Sequence, residues 1–506
     1  MNTRRTATRA ALAVLAAATL ILAGCATTSR TAPATPVPTV LAAKGASFGD
    51  FPGRPEGAAL SAFARESLPT FESFALSNGI PVVVKRNTAN RVQHLALYLR
   101  GGAAANPPAS AGLEALALRT MARGSTSYPY AAIQALLDET SSAIGAEVSL
   151  DWSSYSLTTL DKYFDRIFPV WADSLVRPAF AKEDFDQVLS ESRLALQTKE
   201  QNPWTKAGLV INDEFFKGHP YAAAPDGTKA SLDAASLEAV RAWHSGPFSS
   251  NRMFVVAVGD FDPTALRARL EAALSSIPDR KFPLPPRVPA FAQAGKGRLV
   301  KHEFAQSRGI GYLRGDFAAP GTEDADYMPL GLGMKMLSDL LFNVVRDKYG
   351  ASYSPSAYIR SFEANYGSLA IFKTKVSGKV KGYMDEAVAE LAAGKVVSVD
   401  PGVSDGKQPR MALADSLPVY KALFTNELYE KQQTNAAIAS RIAQSVISSG
   451  DFRSYLLDVD RIAAVTPEQV AAALRKYLLE GSLTWVVIGS KDQLLPTVDV
   501  DFDRFH

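Results

Sequence analysis

The tetrapeptide Tyr98-Leu99-Arg100-Gly101 recurs further along the chain as Tyr312-Leu313-Arg314-Gly315. Two more pairs follow in the same order: Glu238-Ala239-Val240 with Glu468-Gln469-Val470, and Val256-Ala257-Val258-Gly259 with Val486-Val487-Ile488-Gly489. The first pair is offset by 214 positions (312 against 98) and the later pairs by 230 (489 against 259). Matches that keep their order and nearly their register indicate an internal repeat. We therefore predict two homologous domains of roughly two hundred residues each, with any active cleft where the two halves face each other.

The composition is that of an ordinary globular protein. The 506 residues are 47% hydrophobic and 21% charged, which is ample material for two buried cores. The formal net charge of +3 matches the three arginines that precede residue 25, namely Arg4, Arg5 and Arg9, and no acidic residue lies before that position. The chain from residue 25 onward is therefore near neutral, and nothing in its charge indicates a nucleic-acid partner.

Residues 1–24 are predicted to be a lipoprotein signal peptide. The arginines precede an apolar run, residues 11–23, which is too short to span a bilayer but has the length of a secretory signal. The run ends in Leu22-Ala23-Gly24-Cys25, which resembles a bacterial lipobox, and Cys25 is the only cysteine in the chain. We expect Cys25 to be lipidated, an ordinary cleaved signal with an incidental cysteine being the alternative. The residue after the cysteine is Ala26 and not an aspartate, which resembles lipoproteins that are sorted to the outer membrane. We therefore expect a periplasmic protein anchored to the outer membrane.

The rest of the chain reads as a tether and two folded domains. Residues 25–69, rich in Ala, Thr, Pro and Gly, indicate a flexible tether, followed by an N-terminal domain at 70–285 and a C-terminal domain at 286–506. The pattern predicts strands at 80–84, 95–99, 310–313 and 483–488, helices from 113 to the Gly124 stop, at 182–200 and at 329–347, and a long exposed loop at 401–418. The expected fold class is α+β, with two homologous domains in tandem, each a largely antiparallel sheet with helices packed on one face.

The order of motifs in the first domain supplies a family resemblance. The motifs are Asn78-Gly79, Gly101-Gly102, Gly112-Leu113, Arg123-Gly124-Ser125 and His219-Pro220-Tyr221. In this order and spacing they resemble the pitrilysin/insulinase family of zinc metallopeptidases, in its bacterial form with two such domains per chain. The resemblance runs from about residue 71 to residue 501, and it implies that the two domains form half of a peptide-enclosing clamshell.

This chain departs from the family at the metal site. The family's mechanism uses an inverted motif, H-x-x-E-H, on the first helix, because residues four apart share a helix face and reach one zinc ion. The intervening glutamate activates the metal-bound water. Here the segment reads Ala115-Leu116-Ala117-Leu118-Arg119. Ala115 and Leu118 supply neither a ligand nor a base, and Arg119 is a permanent cation with no lone pair. We therefore expect no metal in this chain.

The remaining candidate residues do not supply a set of zinc ligands. The resemblance places the family's third ligand, a glutamate, near Ala195; Glu191 and Glu200 are nearby, and a one-turn slip would put Glu191 on the same face. No two histidines are spaced as a helical ligand pair; they are His94, His219, His244, His302 and His506. We predict that His219 is a capping or packing residue and that Glu114 is a solvated residue at a helix start.

The second domain keeps a different functional pair. The resemblance implies that an arginine and a tyrosine seven positions later bind the scissile carbonyl from the C-terminal domain, and Arg346 and Tyr353 have that spacing. A fixed cation and a phenolic donor aimed at an oxyanion contribute several kcal/mol to the transition state. The alternative is structural, with Arg346 at the negative end of a helix dipole and Tyr353 in the core.

Two hypotheses follow from this combination. In the first, the chain is the zinc-free subunit of a heterodimeric peptidase of the cell envelope, and a partner carrying H-x-x-E-H supplies the zinc while this chain supplies Arg346 and Tyr353. In the second, it is a non-catalytic envelope lipoprotein that binds peptides or proteins. A stand-alone zinc peptidase is a distant third interpretation, because no alternative ligand set is visible.

Overall fold

The computed structural model describes residues 61–284, 287–292, 297–398 and 408–494. These residues lie within one compact unit, Ala42–His506. The predicted signal peptide, Cys25 and the tether up to residue 60 fall outside the described residues. The tether prediction was wrong at its end, because residues 62–67 form helix α1 (Ala62–Ser67), in which Ala64 is buried. Helix α1 is held by the ring of Phe63, which packs edge-on against Tyr429 and Tyr455.

The first half is built on a six-stranded sheet with strand order β1-β2-β6-β3-β5-β4. Its strands are β1 (Phe71–Ala75), β2 (Pro81–Arg86), β3 (Val92–Arg100), β4 (Ala143–Val148), β5 (Trp152–Leu160) and β6 (Met253–Gly259). All neighbours are antiparallel except β2 and β6, which are parallel. The central strands β3 and β6 are buried along almost their whole length. Burial on both faces explains why they read as continuous apolar runs rather than as alternating patterns.

The second half repeats this sheet with strand order β7-β13-β8-β10-β9. Its strands are β7 (Arg298–Glu303), β8 (Gly311–Ala318), β9 (Ser354–Arg360), β10 (Tyr366–Thr374) and β13 (Thr484–Gly489), and a separate hairpin consists of β11 (Lys395–Val397) and β12 (Arg410–Ala412). Strands β7 and β13 form the parallel pair. The order matches β2-β6-β3-β5-β4 of the first half, so the predicted duplication is present in the topology.

The tetrapeptide that suggested the repeat is out of structural register. In the second sheet Tyr312 lies opposite Ile488, and in the first sheet Val258, which the 230-residue offset aligns with Ile488, lies opposite His94. Tyr312 therefore corresponds to His94, four residues before Tyr98. The two glycines of the repeat also differ: Gly101 adopts φ +102° after β3, while Gly315 lies inside β8, where a Cβ atom would approach the Trp485 ring to 2.7 Å.

In each half of the chain, helices from that same half cover one face of the sheet. The first half contains α2 (Leu113–Met121), α3 (Tyr130–Thr140), α4 (Phe164–Val176), α5 (Lys182–Gln201), α6 (Pro203–Phe215), α7 (Lys229–Asp233), α8 (Leu237–Ser245) and α9 (Pro263–Leu274). The second half contains α10 (Tyr327–Leu341), α11 (Ser377–Ala392), α12 (Leu413–Glu430), α13 (Asn435–Ser449), α14 (Asp458–Ala464), α15 (Pro467–Leu474) and α16 (Lys491–Leu494). Helices α10 and α15 continue as π-helical turns, Phe342–Lys348 and Arg475–Leu479.

The opposite face of each sheet is covered by a helix from the other half. Helix α13 packs through Ile438, Ile442 and Val446 against β3 and β6 of the first sheet. Helix α6, its counterpart in the first half, packs through Ala207 against β8 and β13 of the second sheet. The expectation of helices on one face holds within each half, and this reciprocal exchange adds the second layer and joins the halves into one body.

Local signals account for several helix boundaries. Helix α5 ends at Gln201, and the Asn202 side chain then accepts hydrogen bonds from the first backbone N–H groups of α6. Pro203 occupies the first helical position, where its missing N–H costs nothing.

The predicted loop at 401–418 was wrong in its second part, since β12 and the start of α12 occupy residues 410–418. Residues 399–407 lie outside the described residues.

Among the described helices, Tyr327–Lys348 is long and apolar enough to cross a membrane. Its apolar stretch is 72% buried, as in a core helix.

Candidate functional site

Helix α2 carries the positions that hold zinc in the resembled family. Gly112 precedes it in a left-handed conformation with φ +80°, and a Cβ atom there would approach Gly227 to 2.7 Å, so only glycine fits. Ala115 and Leu118 are buried in the core of the first half. They contribute methyl and isobutyl groups to packing, and they offer no electron pair to a metal ion.

Arg119 lies at the end of this motif and takes part in a charge network. Its Nη2 lies 2.7 Å from Oδ1 of Asp226, and Nζ of Lys199 lies 2.5 Å from Oδ2 of the same carboxylate. Partial burial raises the pKa of Asp226, but the hydrogen bonds from Lys199 and Arg119 outweigh it and hold that pKa below its ordinary value. Two cations that share one carboxylate leave net positive charge, so these residues do not fit a zinc ion.

The predicted third position, Ala195, is an exposed residue of α5. Glu191, the alternative, lies 3.5 Å from Nη1 of Arg123, and Glu200 is exposed. The α5 residue that shares a partner with Arg119 is instead Lys199, one turn beyond Ala195. Within the ranges that the structure describes, no group of three or more His, Cys, Asp or Glu side chains is placed to hold a metal ion.

The prediction for Glu114 was wrong. Its side chain is 1% exposed and pairs with the equally buried Arg252, with 3.2 Å between Nη2 and Oε2. Ser153 and Asn106 also donate hydrogen bonds to this carboxylate. The position at a helix start suggested solvation, but Arg252 is 138 residues away in the sequence, and no local pattern reveals such a partner.

His219 has the structural role that its sequence context predicts. Its Nε2 donates to the Pro289 carbonyl at 2.8 Å, and its Nδ1 accepts the backbone N–H of Tyr221 at 3.2 Å. The ring stacks on Phe291 with 4.0 Å between centroids. Burial lowers the pKa of His219, which favours the neutral tautomer that this pair of bonds requires. Both nitrogens are engaged, so neither is available to a metal.

The structure brings Arg346 and Tyr353 together. Arg346 lies in the π-helical turn after α10, and its guanidinium carbon lies 4.4 Å from the centre of the Tyr353 ring and 4.3 Å from the centre of the Phe342 ring. Tyr353 is 72% exposed, which contradicts the alternative of a core tyrosine. In the part of the chain that the structure describes, no hydrogen bond, ion pair or ring contact links this pair to α2 or α5.

Phe342 is the residue of this group that the sequence reasoning missed. It precedes Arg346 by four positions, and the side chains of such a pair lie on the same side of a helix. The signal that could have identified it is an aromatic residue one turn before the arginine, on a helix whose other apolar positions are core. In the structure Phe342 is 39% exposed while its neighbours Leu340, Leu341 and Val344 are fully buried.

The repeated domains and the positions on α2 define the class of this protein: a two-domain α+β protein with the insulinase fold. Two family models match the chain, "Insulinase (Peptidase family M16)" over residues 81–222 and "Peptidase M16 inactive domain" over residues 234–394, and together they cover more than half of it. The chain belongs to the M16 insulinase family.

Two relatives and two solved structures illustrate the similarity. The chain is 25% identical to the non-peptidase homolog YmxG of Helicobacter pylori over 202 residues, 40% of this chain and about half (47%) of that relative. It is 20% identical to an uncharacterized zinc protease of Streptomyces coelicolor over 421 residues, 81% of this chain and 87% of that protein. The peptidase M16 inactive domain of Pseudomonas fluorescens superposes with a TM-score of 0.71 at 19% identity, covering 83% and 98% of the two chains. The periplasmic protease PqqL of Escherichia coli gives 0.67 at 16% identity, covering 86% and 46%.

Proposed function

We propose that this chain is the zinc-free subunit of a heterodimeric insulinase-like metallopeptidase. A second M16 chain carrying H-x-x-E-H would supply the metal and the water-activating glutamate, and this chain would supply Arg346 and Tyr353 to the carbonyl of the peptide. The observation that carries the proposal is the contrast between the two halves. The ligand positions on α2 have become core residues and an Arg119–Asp226 ion pair, while Arg346 and Tyr353 are stacked and accessible.

The geometry of the pair supports a role at a developing oxyanion. The nearest carboxylate to Arg346 is Asp347, 3.9 Å away, which is too far for a hydrogen bond. The Tyr353 hydroxyl has no hydrogen-bond partner among residues 61–284, 287–292, 297–398 and 408–494. Both groups thus keep their N–H and O–H donors for a ligand, and such donors stabilise a tetrahedral intermediate by several kcal/mol when they are fixed in advance.

The comparisons support the division of labour in a general way. One relative is named a non-peptidase homolog and another a zinc protease, so the family includes both kinds of chain. We further propose a periplasmic location, which the periplasmic neighbour supports. We also propose that Cys25, at the end of the lipobox-like run, is lipidated and holds the protein at the outer membrane. A Cys25→Ser variant should then move from the membrane fraction to the soluble periplasmic fraction. Its persistence in the membrane would require another anchor.

The second candidate is a peptide-binding lipoprotein without catalysis. It is favoured by the same accessible donors, because Arg346 and Tyr353 can bind a carbonyl whether or not a metal lies opposite. In that case the protein would bind peptides with its own two halves, and no paralogue would be needed.

Reconstitution with a paralogue separates the two candidates. The purified chain alone should contain no stoichiometric zinc and cleave no peptide, and adding an H-x-x-E-H paralogue should yield a co-purifying complex that cleaves. Arg346→Ala should then reduce turnover by about a hundredfold or more while zinc content and complex formation stay unchanged. Arg360→Ala is the matched control, since Arg360 is also exposed and stacked on a tyrosine, Tyr358, in the same half. Failure of the paralogue to co-purify or to cleave would favour the binding protein. Equal turnover in wild type and Arg346→Ala would exclude Arg346 from the reaction, and tightly bound zinc in the isolated chain would refute both candidates.

A further inference from the structure

A cavity of about 600 Å³ lies where the two halves meet, and cavities of this size hold small molecules. Both halves and the segment that connects α9 to β7 contribute to its wall. The lining includes Arg100 and Asp151 from the first half, Phe282 and Leu284 from the connecting segment, and Glu363 and Ile447 from the second half. Among the described residues that line it, none lies on α2 or in the π-helical turn Phe342–Lys348.

Arg100 presents an unpaired cation to this cavity. Its guanidinium carbon lies 5.6 Å from the centre of the Phe254 ring. In the part of the chain that the structure describes, its side chain donates no hydrogen bond and forms no ion pair. Burial lowers the pKa of Arg100, against the opposing effect of the Glu363 charge, yet an arginine keeps its charge in proteins. Its N–H donors are therefore left for an acceptor that enters the cavity.

Glu363 places a carboxylate in the same cavity. Its Oε2 accepts the backbone N–H of Val288 at 2.9 Å, and its own backbone N–H donates to Asp151 at 2.7 Å. These bonds fix its position, and no cation among the described residues forms an ion pair with it. The charges of Arg100 and Glu363 interact, but the two groups are held beyond ion-pair distance, which leaves room for a ligand to bridge them.

The other two charged side chains of the lining are already engaged. Both oxygens of Asp151 accept hydrogen bonds, one from Tyr221 and one from Glu363, and Nη2 of Arg287 donates to the Ser448 carbonyl at 2.9 Å. At neutral pH the four side chains together carry two positive and two negative charges. A ligand that carries one charge of each sign matches this balance, because a single added charge would be buried without compensation.

The wall beside these charges is apolar and held in place. The Phe282 carbonyl accepts a hydrogen bond from Asn251 at 2.7 Å, and the guanidinium carbon of Arg252 lies 5.1 Å from the centre of the Phe282 ring. Leu284 is 52% exposed, so it has apolar surface that a ligand can cover. The volume holds on the order of twenty water-sized groups, which suits a ligand of about fifteen heavy atoms.

We propose that this cavity binds a free α-amino acid with a large apolar side chain. The α-carboxylate meets the guanidinium edge of Arg100, the α-ammonium group meets the Glu363 carboxylate, and the side chain packs against Phe282 and Leu284. The inference does not rest on the proposed peptidase role. Because both halves line the cavity, the occupant also stabilises their arrangement, and it should raise the thermal midpoint of unfolding.

Isothermal titration calorimetry on the full chain tests the ligand class. L-Tryptophan should bind one per chain with a dissociation constant below about 100 µM. N-acetyl-L-tryptophan lacks the ammonium group and L-tryptophanamide lacks the carboxylate, so each should bind about tenfold more weakly, since hydrogen bonds between charged groups are the strong ones. Glycine lacks the apolar side chain, and it should show no binding at about 1 mM.

Two variants assign the charges to their partners. Arg100→Gln should abolish the preference for tryptophan over tryptophanamide and keep the preference over N-acetyltryptophan, whereas Glu363→Gln should do the reverse. Glutamine at position 363 keeps an oxygen that can accept the Val288 N–H. Arg267→Gln is the matched control, since Arg267 also lies over a phenylalanine ring, 5.2 Å from that of Phe74, outside this cavity, and all affinities should stay unchanged. Far-ultraviolet circular dichroism and the thermal midpoint establish that each variant is folded.

Several outcomes overturn the proposal. Tryptophan might fail to bind wild type at millimolar concentration, the three tryptophan compounds might bind equally, or Arg100→Gln might weaken all three equally. Binding that is lost on Arg346→Ala but kept on Arg100→Gln would place the amino acid at another site. None of these measurements involves zinc, a paralogue or peptide cleavage, so the failure of this inference is distinguishable from the failure of the proposed function.

Discussion

Tyr221 donates its hydroxyl hydrogen to Oδ1 of Asp151 at 2.5 Å, and this bond lies at the junction between the two halves. The other carboxylate oxygen accepts the backbone N–H of Glu363 at 2.7 Å, and the Tyr221 oxygen accepts the backbone N–H of Ala364 at 3.0 Å. Asp151 and Tyr221 belong to the first half, and Glu363 and Ala364 to the turn between β9 and β10. A buried carboxylate without a cationic hydrogen-bond partner thus helps to join the two halves.

The first prediction concerns the pH dependence of this junction. Burial raises the pKa of Asp151 to about 6 from the ordinary value of 3.8, against the opposing effect of its two hydrogen bonds. Because the folded state binds the proton more tightly than the unfolded state, the stabilising contribution is present below pH 3.8 and is lost as the pH rises through about 6. The free energy of unfolding of wild type relative to Asp151→Asn should fall by up to about 3 kcal/mol between about pH 4 and pH 7. Urea unfolding of both proteins across this range measures the difference, and a constant value would contradict the assignment.

The second prediction concerns the buried pair Glu114 and Arg252. Glu114→Gln should destabilise the protein by about 3–5 kcal/mol, because it leaves the Arg252 charge buried without its counter-charge. A double replacement with Glu114→Leu and Arg252→Met should cost less than the sum of the single replacements, as measured in a double-mutant cycle by urea unfolding. Asp226→Asn is the control, since it breaks ion pairs that are more than a third exposed and should cost about 1 kcal/mol or less. Additive effects at Glu114 and Arg252 would show that the two residues are not coupled.

The third prediction concerns the exchange of helices between the halves. Ile442 of α13 is fully buried against the first sheet, so Ile442→Ala should destabilise by about 2–5 kcal/mol. It should also accelerate hydrogen exchange of the backbone amides of β3 and β6, although these strands lie in the other half of the chain. Ile371→Ala removes a side chain of equal size from the second half's own core and serves as the comparison. If Ile442→Ala leaves hydrogen exchange of the β3 and β6 amides unchanged, the stability of the first sheet does not depend on α13.

The fourth prediction compares the effect of adding a methyl group at two glycines, one in a packed strand and one on an exposed helix surface. Gly315→Ala should destabilise by about 1–3 kcal/mol, because the new Cβ atom would meet the Trp485 ring at 2.7 Å. Gly382 lies on the exposed side of α11, where a Cβ atom would have no neighbour within 4 Å, and Gly382→Ala should stabilise by up to about 1 kcal/mol through helix propensity. Denaturation midpoints of the two variants should therefore move in opposite directions. A shift in the same direction would refute the packing argument.

The sequence was most informative where structure and chemistry are local. Apolar runs predicted the central strands, and the helix predicted at 182–200 is α5 (Lys182–Gln201), because these features depend on near neighbours. The loss of the zinc motif was also readable, since the two histidines and the glutamate of that motif must occupy one helix face. The match between the two tetrapeptides correctly indicated a duplication, but it aligned residues that are not structurally equivalent. Four identical letters carry no information about which residue lies opposite on the next strand.

The sequence by itself determined that the chain is a duplicated α+β protein with no ligand set on α2 and with Arg346 and Tyr353 at the family spacing. Only the tertiary structure decided which distant groups meet: Arg252 with Glu114, Lys199 and Arg119 at Asp226, and each exchanged helix on the sheet of the other half. The physical reason is that a linear pattern sets the period and polarity of a segment, whereas the neutralisation of a buried charge and the covering of a sheet's second face depend on contacts between residues far apart in the chain.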